Sequence, residues 1–365
     1  MTTGLYAAPG EVVTVTLPSE IVNSGTYVLV GAHSDSLWGK SQLHRHPQIS
    51  RWWYVDSATM EVGNAFGGPI YIGIEAGSTL GEFDITVSNA VKAPRYIHGE
   101  TDVFQWQQQY RNDPAPWAEI GSDQFILTVP SHEIRDLDNP HDLMDWWDQA
   151  LGMEHELYGY TPWPRVERAV FDAQISAGWM HSGYPFMAHD LSVAGVVNVS
   201  YMSENGDWGM FHELGHNHQC SAWTFAGQTE VTCNLFSLYV MEKLVGKPQG
   251  RGHPAMEKLD ELLAKRFAAE PNKGPFEQLA TFVVLIRAHG WEPLRETLRS
   301  YATDAAPKGT SKEQLQSLFA LRYGKAAKAD VSEYFEKMGY HVDGTAKSAL
   351  KGFPAFKPAL PASAK

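Results

Sequence analysis

The N-terminal part of the chain alternates apolar and polar positions with a period of two. The alternating segments are 13–17, 70–74 and 83–87. Because successive side chains of a strand point to opposite faces, each segment predicts a half-buried strand. Glycine, proline and asparagine clusters between the segments indicate turns. Several short strands at this spacing predict a β-sandwich over residues 1–95.

The pattern changes at about residue 96, where helical and strand periods begin to mix. Helices are predicted at 101–110 and 141–158, strands at 124–129 and 170–175, and two further helices between 208 and 245. Short apolar runs next to segments with a 3.6-residue period are typical of a mixed α/β domain. The sequence therefore predicts an α/β segment over 96–246.

The rest of the chain is predicted to be helical. Lys247-Pro248-Gln249-Gly250 indicates a helix stop and a linker. Helical spacing of apolar residues follows at 256–268, 275–289, 291–301, 312–323 and 331–338. The tail from Pro354 is rich in proline, alanine and lysine and is expected to fray. The predicted fold is an α+β multidomain chain, in which a helical subdomain (247–365) closes the cleft of the α/β segment.

Composition and charge narrow the class of protein. Hydrophobic residues make up 43% of the 365 residues and charged residues 19%, as in folded globular proteins. No apolar run reaches the roughly 18 residues of a membrane helix. The net charge of −13 argues against nucleic acid as a partner. The two cysteines exclude a disulfide scaffold. The first residues do not resemble a signal peptide, so we expect a cytosolic protein or the excised core of a longer one.

The segment His212-Glu213-Leu214-Gly215-His216 carries the strongest chemical signal. Two histidines four residues apart lie on one face of a helix, so both imidazoles can bind one zinc ion at ~2.0–2.1 Å. Glu213 can take a proton from a zinc-bound water that attacks a peptide carbonyl. Gly206-Asp207 predicts the start of this helix. The spacing therefore predicts a zinc-dependent hydrolase with Glu213 as general base.

A catalytic zinc takes three protein ligands and keeps one open position. One class of protease supplies a third histidine six residues after the second, but that place holds Ala222. The next predicted helix begins near Glu230, and we expect this carboxylate to be the third ligand. Asn234 follows four residues later on the same helix face. It is expected to hydrogen-bond a ligand side chain.

Other roles for these residues stay open. The two motif histidines could be ordinary helix residues, and Glu230 could be a carboxylate favoured by the helix dipole. His218 could replace Glu230 as a ligand, although it lies off the face that His216 shares. Cys233 is expected to be a buried thiol, and a disulfide with Cys220 is the alternative.

The residues around the motif resemble a known family. The run 212–219, followed by Glu230-x-Thr232-x-Asn234-Leu235, resembles the peptidase M60 family of enhancin-like, mucin-targeting zinc metalloproteases. Further segments resemble the same family at 3–11, 67–72 and 174–185. The last also resembles the M60-like region of the animal TRP-channel-associated factors. The resemblance covers residues 3–245 well and the remainder more loosely.

The resemblance implies a gluzincin, in which zinc is held by the residues at positions His212, His216 and Glu230. It implies an endopeptidase of extracellular glycoproteins, notably mucins, with O-glycans required on several substrates. It also implies a secreted or cell-surface parent protein. The net charge of −13 does not favour steering toward acidic mucin sugars.

The segment before the motif helix is the predicted substrate contact. In gluzincin-like folds an edge strand at this place pairs with the extended substrate backbone. The predicted substrate-binding residues are His181, Ser182, Gly183 and Tyr184. A plain turn with buried aromatic rings is the alternative. The reaction also needs an oxyanion donor besides zinc, for which the candidates are Tyr184, Tyr239 and His289.

Two other residue groups suggest binding sites in the N-terminal part. Exposed aromatic rings can stack on sugars, although core packing is the alternative. The candidates for stacking are Trp38, Trp52, Trp53 and Tyr54. A second metal site could use His33, His44 and His46, but their spacing does not support it.

Two functions follow from the sequence. The first is a zinc-dependent endopeptidase that cleaves glycoproteins, with O-glycosylated mucin-type substrates expected. The second is a non-catalytic M60-like module that binds a glycan or a protein. The combination of His212, Glu213, His216 and Glu230 favours the enzyme, because a binding module does not need all four.

Overall fold

The structure is a computed structural model that describes residues 1–159, 165–248, 251–267 and 274–360. Its strands are β1 (Thr2–Ala7), β2 (Val12–Thr16), β3 (Tyr27–Val30), β4 (Arg51–Tyr54), β5 (Thr59–Gly63), β6 (Gly68–Gly73), β7 (Thr86–Ser88), β8 (Val91–Lys92), β9 (Arg95–Ile97), β10 (Trp117–Gly121), β11 (Phe125–Pro130), β12 (Glu167–Asp172), β13 (Met180–His181) and β14 (Phe186–His189). Its helices are α1 (Val103–Gln108), α2 (Pro140–Tyr158), α3 (Val193–Val196), α4 (Val199–Asn205), α5 (Trp208–His218), α6 (Thr229–Lys243), α7 (Pro254–Glu257), α8 (Leu259–Phe267), α9 (Pro275–His289), α10 (Glu292–Thr303), α11 (Lys312–Ala327), α12 (Ser332–Lys337) and α13 (Gly344–Leu350). The predicted mixture of helices and sheets is confirmed.

The chain divides into two compact units. The first holds residues 1–148 and 165–201, and the second holds residues 149–164 and 202–365. Helix α2 therefore begins in the first unit and ends in the second. The bounds of these units differ from the three predicted segments, whose limits stay a prediction.

Two antiparallel sheets share an apolar core in the first unit. Their strand orders are β4-β3-β6-β1-β8 and β5-β2-β7. Val13 and Val15 of β2 are buried in this core, as the alternation predicts. The predicted strand at 83–87 is wrong at its start, because only Thr86–Ser88 pairs with β2. Phe83 and Ile85 still pack against the core, so this alternation reflects burial without strand pairing.

A mixed six-stranded sheet completes the first unit. Its order is β13-β14-β12-β11-β10-β9, with two-residue β13 at one edge. All six residues of β12 are buried, as expected of a central strand. The strand predicted at 170–175 begins three residues earlier and ends at Asp172. Ile175 is buried beyond the strand, where the chain turns, and this explains the shifted prediction.

The described part of the second unit is helical. Helix α6 is buried throughout Val231–Met241 and α9 throughout Leu279–Ile286, so both lie at the centre of the core. The helix predicted at 256–268 is interrupted at Lys258, where the backbone leaves the helical region, and Ala268 lies outside the described residues.

The expected fraying of the tail is wrong for 354–360. Asp330 and Ala355 form a β-bridge, and Phe356 packs on the helical core. Apolar contacts that the composition of the tail did not indicate therefore order this segment. Residues 361–365 lie outside the described part of the chain.

Candidate metal centre

Helix α5 carries the motif residues in the second unit. The carboxylate of Asp207 accepts a 2.9 Å hydrogen bond from the backbone N–H of Met210 and caps the helix. His212 and His216 lie one turn apart with ring planes at 87°. Their Nε2 atoms are 3.0 Å apart. The helix therefore directs both nitrogens toward one point.

Helix α6 brings a carboxylate to the same point. Oε2 of Glu230 lies 3.2 Å from Nε2 of His212 and 3.5 Å from Nε2 of His216. Zinc ligands at ~2.0–2.1 Å, arranged tetrahedrally, are ~3.3 Å from one another. The three predicted ligands therefore lie together at separations that fit one zinc ion.

The two helices can approach closely because residue 215 is a glycine. A Cβ atom on Gly215 would lie 2.6 Å from the carbonyl oxygen of Cys233 and 3.0 Å from the Cβ of Phe236. A side-chain carbon cannot lie as close as 2.6 Å to a backbone oxygen, so only glycine fits at this position. The glycine thus permits the crossing of α5 and α6 that joins the histidines to Glu230.

An amide fixes the orientation of the first histidine. Oδ1 of Asn234 lies 2.7 Å from Nδ1 of His212 and accepts a 3.0 Å hydrogen bond from the Trp208 indole N–H. The amide nitrogen of Asn234 donates to the backbone carbonyl of Glu230 at 2.8 Å. Because one end of the amide accepts from an N–H group and the other end donates to a carbonyl, the oxygen and the nitrogen of the amide are identified. The oxygen can only accept, so Nδ1 of His212 must carry the proton and donate to it.

A second amide orients the other histidine. Oε1 of Gln219 lies 2.9 Å from Nδ1 of His216. The amide nitrogen of Gln219 donates to the carbonyl of Thr229 at 2.6 Å and to Oγ1 of Thr232 at 2.7 Å. The sequence analysis missed Gln219. Its position in the sequence, three residues after His216 and directly after the last residue of α5, could have indicated this contact.

These bonds determine which atoms face the centre. Because both imidazoles donate from Nδ1, each neutral ring turns the lone pair of its Nε2 toward the other ring and toward the carboxylate of Glu230. Such electron-rich atoms repel one another unless a cation or a proton lies between them. Two imidazole nitrogens and a carboxylate oxygen are donors that suit zinc. The residues present therefore fit the metal that the motif implies.

Glu213 is only 7% exposed and lies on α5 next to His212. Successive helix positions are ~100° apart around the axis. Glu213 therefore lies beside the face that carries the two histidines, as expected of a base that acts next to a metal. Its role stays a prediction.

Cys233 lies against the three donor atoms. Its Sγ is 3.5 Å from Nδ1 and 3.8 Å from Nε2 of His212. This sulfur and one ligand atom each from His212, His216 and Glu230 all lie within 4.8 Å of one another. Burial raises the pKa of Cys233, and the charge of Glu230 adds to this. Cys220 and Cys233 are both free, so the disulfide alternative is wrong.

In the described part of the chain, His218 does not belong to the group of donor atoms formed by His212, His216 and Glu230. Its Nδ1 lies 2.7 Å from the carbonyl oxygen of Leu214 and 3.2 Å from a carboxylate oxygen of Glu154, and both side chains are fully buried. His155 packs beside it, and burial together with His218 lowers the pKa of His155 to about 4. This buried group explains why a third histidine follows the motif.

The predicted substrate-contact residues lie in the first unit. Among the residues that the structure describes, strand β13, which ends at His181, pairs only with β14 and forms a sheet edge. Nε2 of His181 lies 2.8 Å from a carboxylate oxygen of Asp35. The ring of Tyr184 is exposed beneath the guanidinium of Arg165, 4.4 Å away, so this aromatic ring is not buried. The roles of His181, Ser182, Gly183 and Tyr184 stay predictions.

The oxyanion candidates have different surroundings. Tyr239 is buried, and burial raises its pKa to about 12. It lies nine residues after Glu230, or roughly two and a half helical turns, on the opposite side of α6. Nδ1 of His289 lies 3.2 Å from the hydroxyl oxygen of Tyr323. Tyr184 belongs to the first unit.

The N-terminal aromatic residues divide between surface and core. Trp38, Trp52 and Tyr54 are exposed, whereas Trp53 packs partly buried against the core. The histidines whose spacing did not support a second metal site also do not form one in the described part of the chain. His33 is buried against the carbonyl of Phe171, and it does not converge with His44 and His46.

Comparisons with protein-family models identify two adjoining matches. The N-terminal domain of M60-like peptidases matches residues 1–88. Peptidase M60, enhancin and enhancin-like, matches residues 89–339. The second match covers more than half of the chain and includes every residue of the candidate metal centre.

Curated relatives resemble nearly the whole chain. A TRPM8 channel-associated factor homolog of Xenopus laevis is 36% identical over 97% of this chain and 40% of its own length. TRPM8 channel-associated factor 2 of Homo sapiens is 34% identical over 98% of this chain and 40% of its own length. The chain thus spans about two fifths of the curated relatives it matches.

Solved structures share the fold. A functionally unknown conserved protein from Bacillus anthracis has a TM-score of 0.77 at 19% identity and covers 98% of this chain and 74% of its own. The ZmpB metallopeptidase from Clostridium perfringens has a TM-score of 0.73 at 16% identity, covering 98% and 76%. The M60 catalytic domain of ZmpC from that organism, in complex with the sialyl T antigen, has a TM-score of 0.65 at 14% identity, covering 98% and 75%. At these identities the likeness shows the fold alone.

The helices were also compared with the length and hydropathy that a membrane span requires. Within the described residues, no helix meets both requirements.

Proposed function

Because the chain belongs to the peptidase M60 family of enhancin and enhancin-like proteins, we propose that it is a zinc-dependent endopeptidase acting on glycoproteins. One observation carries this proposal. The Nε2 atoms of His212 and His216 and an oxygen of Glu230 lie 3.0–3.5 Å from one another. Glu213 follows His212 on the same helix.

Each residue has a distinct part in the proposed reaction. His212, His216 and Glu230 would hold zinc, which acts as a Lewis acid that polarises the scissile carbonyl. Glu213 would accept a proton from the attacking water and return it to the leaving nitrogen. Asn234 and Gln219 would keep Nδ1 of each histidine as the donor, so that Nε2 stays available.

The substrate class is proposed from the family. We favour O-glycosylated, mucin-type glycoproteins, and the complex of the related ZmpC domain with the sialyl T antigen supports a glycan on the substrate. An unpaired sheet edge can add an extended peptide as a strand. Strand β13 offers such an edge, followed by Ser182, Gly183 and Tyr184. A secreted or cell-surface location of the parent protein belongs to the same proposal.

A second function is supported by the relatives. The proteins that are 34–36% identical are named as channel-associated factors. An M60-like unit without catalysis, which binds a protein or a glycan, is therefore the alternative. It differs from the first proposal in one measurable way, because it does not require the carboxylate of Glu213.

Proteolysis of an O-glycosylated mucin, before and after enzymatic removal of its glycans, tests both functions. We expect chelator-sensitive cleavage of the glycosylated form, and a loss of about 10²–10⁴-fold in turnover for Glu213→Gln with zinc content unchanged. Glu204→Gln, on the exposed side of α4, is the matched control. Full activity of Glu213→Gln would contradict the mechanism. Absence of cleavage by a zinc-loaded preparation would favour the binding module.

A further inference from the structure

A second group of metal-ligating side chains lies in the first unit. His98 follows β9, while His141 and Asp145 lie four residues apart near the start of α2. One nitrogen or oxygen from each of the three residues fits within 4.8 Å. No motif joins His98 to the other two in the sequence, so only the fold brings them together.

One carboxylate serves both imidazoles. Oδ1 of Asp145 lies 2.9 Å from Nε2 of His98, and Oδ2 lies 3.4 Å from Nε2 of His141. Nε2 of His98 is inaccessible to solvent, yet its contact with Asp145 does not have the geometry of a hydrogen bond. A ring nitrogen and a carboxylate oxygen at this distance are close enough to bind one ion together.

The surroundings favour a cation. Burial raises the pKa of the nearby Asp148. The hydrogen bond from Ser122 and the charge of His98 lower this pKa, whereas the charges of Asp123 and Asp145 raise it. The whole chain carries a net charge of −13. When both imidazoles are unprotonated, as metal binding requires, the group carries the negative charge of Asp145 and attracts a divalent ion.

The arrangement of the rings limits how strongly an ion would bind. The rings of His98 and His141 are stacked, 4.5 Å apart and 20° from parallel. Since the lone pair of a ring nitrogen lies in the ring plane, one ring must turn before both can face one ion. The side chain of His98 is 24% exposed and that of His141 is 48% exposed, so His141 is the one with room to turn.

We propose that His98, His141 and Asp145 form a second site for a divalent first-row metal ion, with zinc as the probe. Two imidazoles and a carboxylate suit zinc, nickel and copper and leave positions for water. In the described part of the chain no side-chain amide hydrogen-bonds either imidazole. We therefore expect affinity about 10–100-fold below that of the centre at His212.

The experiment removes the first centre so that metal bound elsewhere can be counted. The full chain with His212→Ala and His216→Ala is titrated with Zn²⁺ by calorimetry, and one equivalent per chain is expected. Adding His98→Ala or His141→Ala should weaken this binding by at least about tenfold. Circular dichroism checks that each variant is folded. No bound zinc in the starting variant, or binding that is unchanged by His98→Ala, would overturn the proposal.

A matched control separates a three-residue site from an ordinary ion pair. Nδ1 of His189 lies 2.9 Å from Oδ1 of Asp190, the same distance as between His98 and Asp145. The side chains of His189 and His98 are both 24% exposed. No third ligand joins this pair in the described residues. We expect His189→Ala to leave zinc binding unchanged. An effect equal to that of His98→Ala would show that the three-residue geometry is not what binds zinc.

A second measurement does not depend on variants that fold. In the unaltered chain, diethyl pyrocarbonate modifies accessible imidazoles, and mass spectrometry locates the modified residues. Zn²⁺ should protect His141 and slow the reaction of His98, while His132, which is largely exposed, reacts as before. Equal reactivity of His98 and His141 with and without zinc would contradict the site.

Discussion

Two clusters of two histidines and one carboxylate lie in the described part of the chain, and they differ in what surrounds them. At His212 and His216 the ring planes are nearly perpendicular and an amide oxygen faces each Nδ1. At His98 and His141 the rings are stacked. Two imidazoles and a carboxylate can therefore lie close together either with or without hydrogen bonds that point the nitrogen lone pairs at one position. A metal centre depends on those contacts as much as on the donors.

Removing the carboxylate should have the largest effect on the first cluster. In Glu230→Ala, two histidines remain without the oxygen that completes the donor set. We expect zinc affinity to fall by more than about 100-fold, beyond the effect of losing a supporting hydrogen bond. Competition with a chromophoric chelator measures the change. An affinity within tenfold of the unaltered chain would mean that another residue, such as Cys233, supplies the third ligand.

Removing the amides should make the first cluster resemble the second. Asn234→Ala and Gln219→Ala each leave a histidine free to change tautomer. We expect each to lower zinc affinity by about 10–100-fold. Nitrogen NMR of the imidazoles should show mixed tautomers in the metal-free variants. If the tautomers stay as in the unaltered chain, other contacts orient the rings.

The helix crossing provides a smaller test. Gly215→Ala places a methyl group 2.6 Å from a backbone oxygen of α6, so we expect a loss of about 1–3 kcal/mol in the free energy of unfolding. Gly152 of α2 has open space around it and is the matched control. Gly152→Ala should stabilise by up to about 1 kcal/mol, because alanine favours helix. Chemical denaturation compares the two, and equal effects would contradict the role given to Gly215.

The last test concerns His155, whose pKa of about 4 is lowered by burial and by His218. Because its folded pKa lies below the unfolded value near 6.5, the unfolded chain binds more protons between these values. The free energy of unfolding of the chelator-treated protein should therefore fall as pH decreases from 6.5 to 4. His155→Gln should reduce this slope. An unchanged slope would assign the pH dependence to other groups.

The sequence predicted what depends on local spacing. His212, His216 and Glu230 follow from helical periodicity and from the family resemblance, and Asn234 follows from its position one turn after Glu230. Gln219 was missed because its contact depends on how the end of α5 meets α6. His98 was missed for a similar reason, since only tertiary structure brings it to Asp145.

The same distinction holds for the fold. The strand at β11 was predicted from a short apolar run, and the helix at α2 from the spacing of its apolar residues. The break between α7 and α8 and the ordered segment at 354–360 were not. Tertiary contacts of Ala355 and Phe356 order the second of these segments, and such contacts leave no periodic trace in the sequence.

The glycine at position 215 also bears on how sequences of this kind are compared. Glycine has no side chain that could bind a metal or a substrate, yet the distance between two helices depends on the absence of a larger group. Such a position carries as much information about function as a ligand does. A ranking of residues by the reactivity of their side chains would miss Gly215. A ranking by how few substitutions each position tolerates would give Gly215 the same importance as the two histidines.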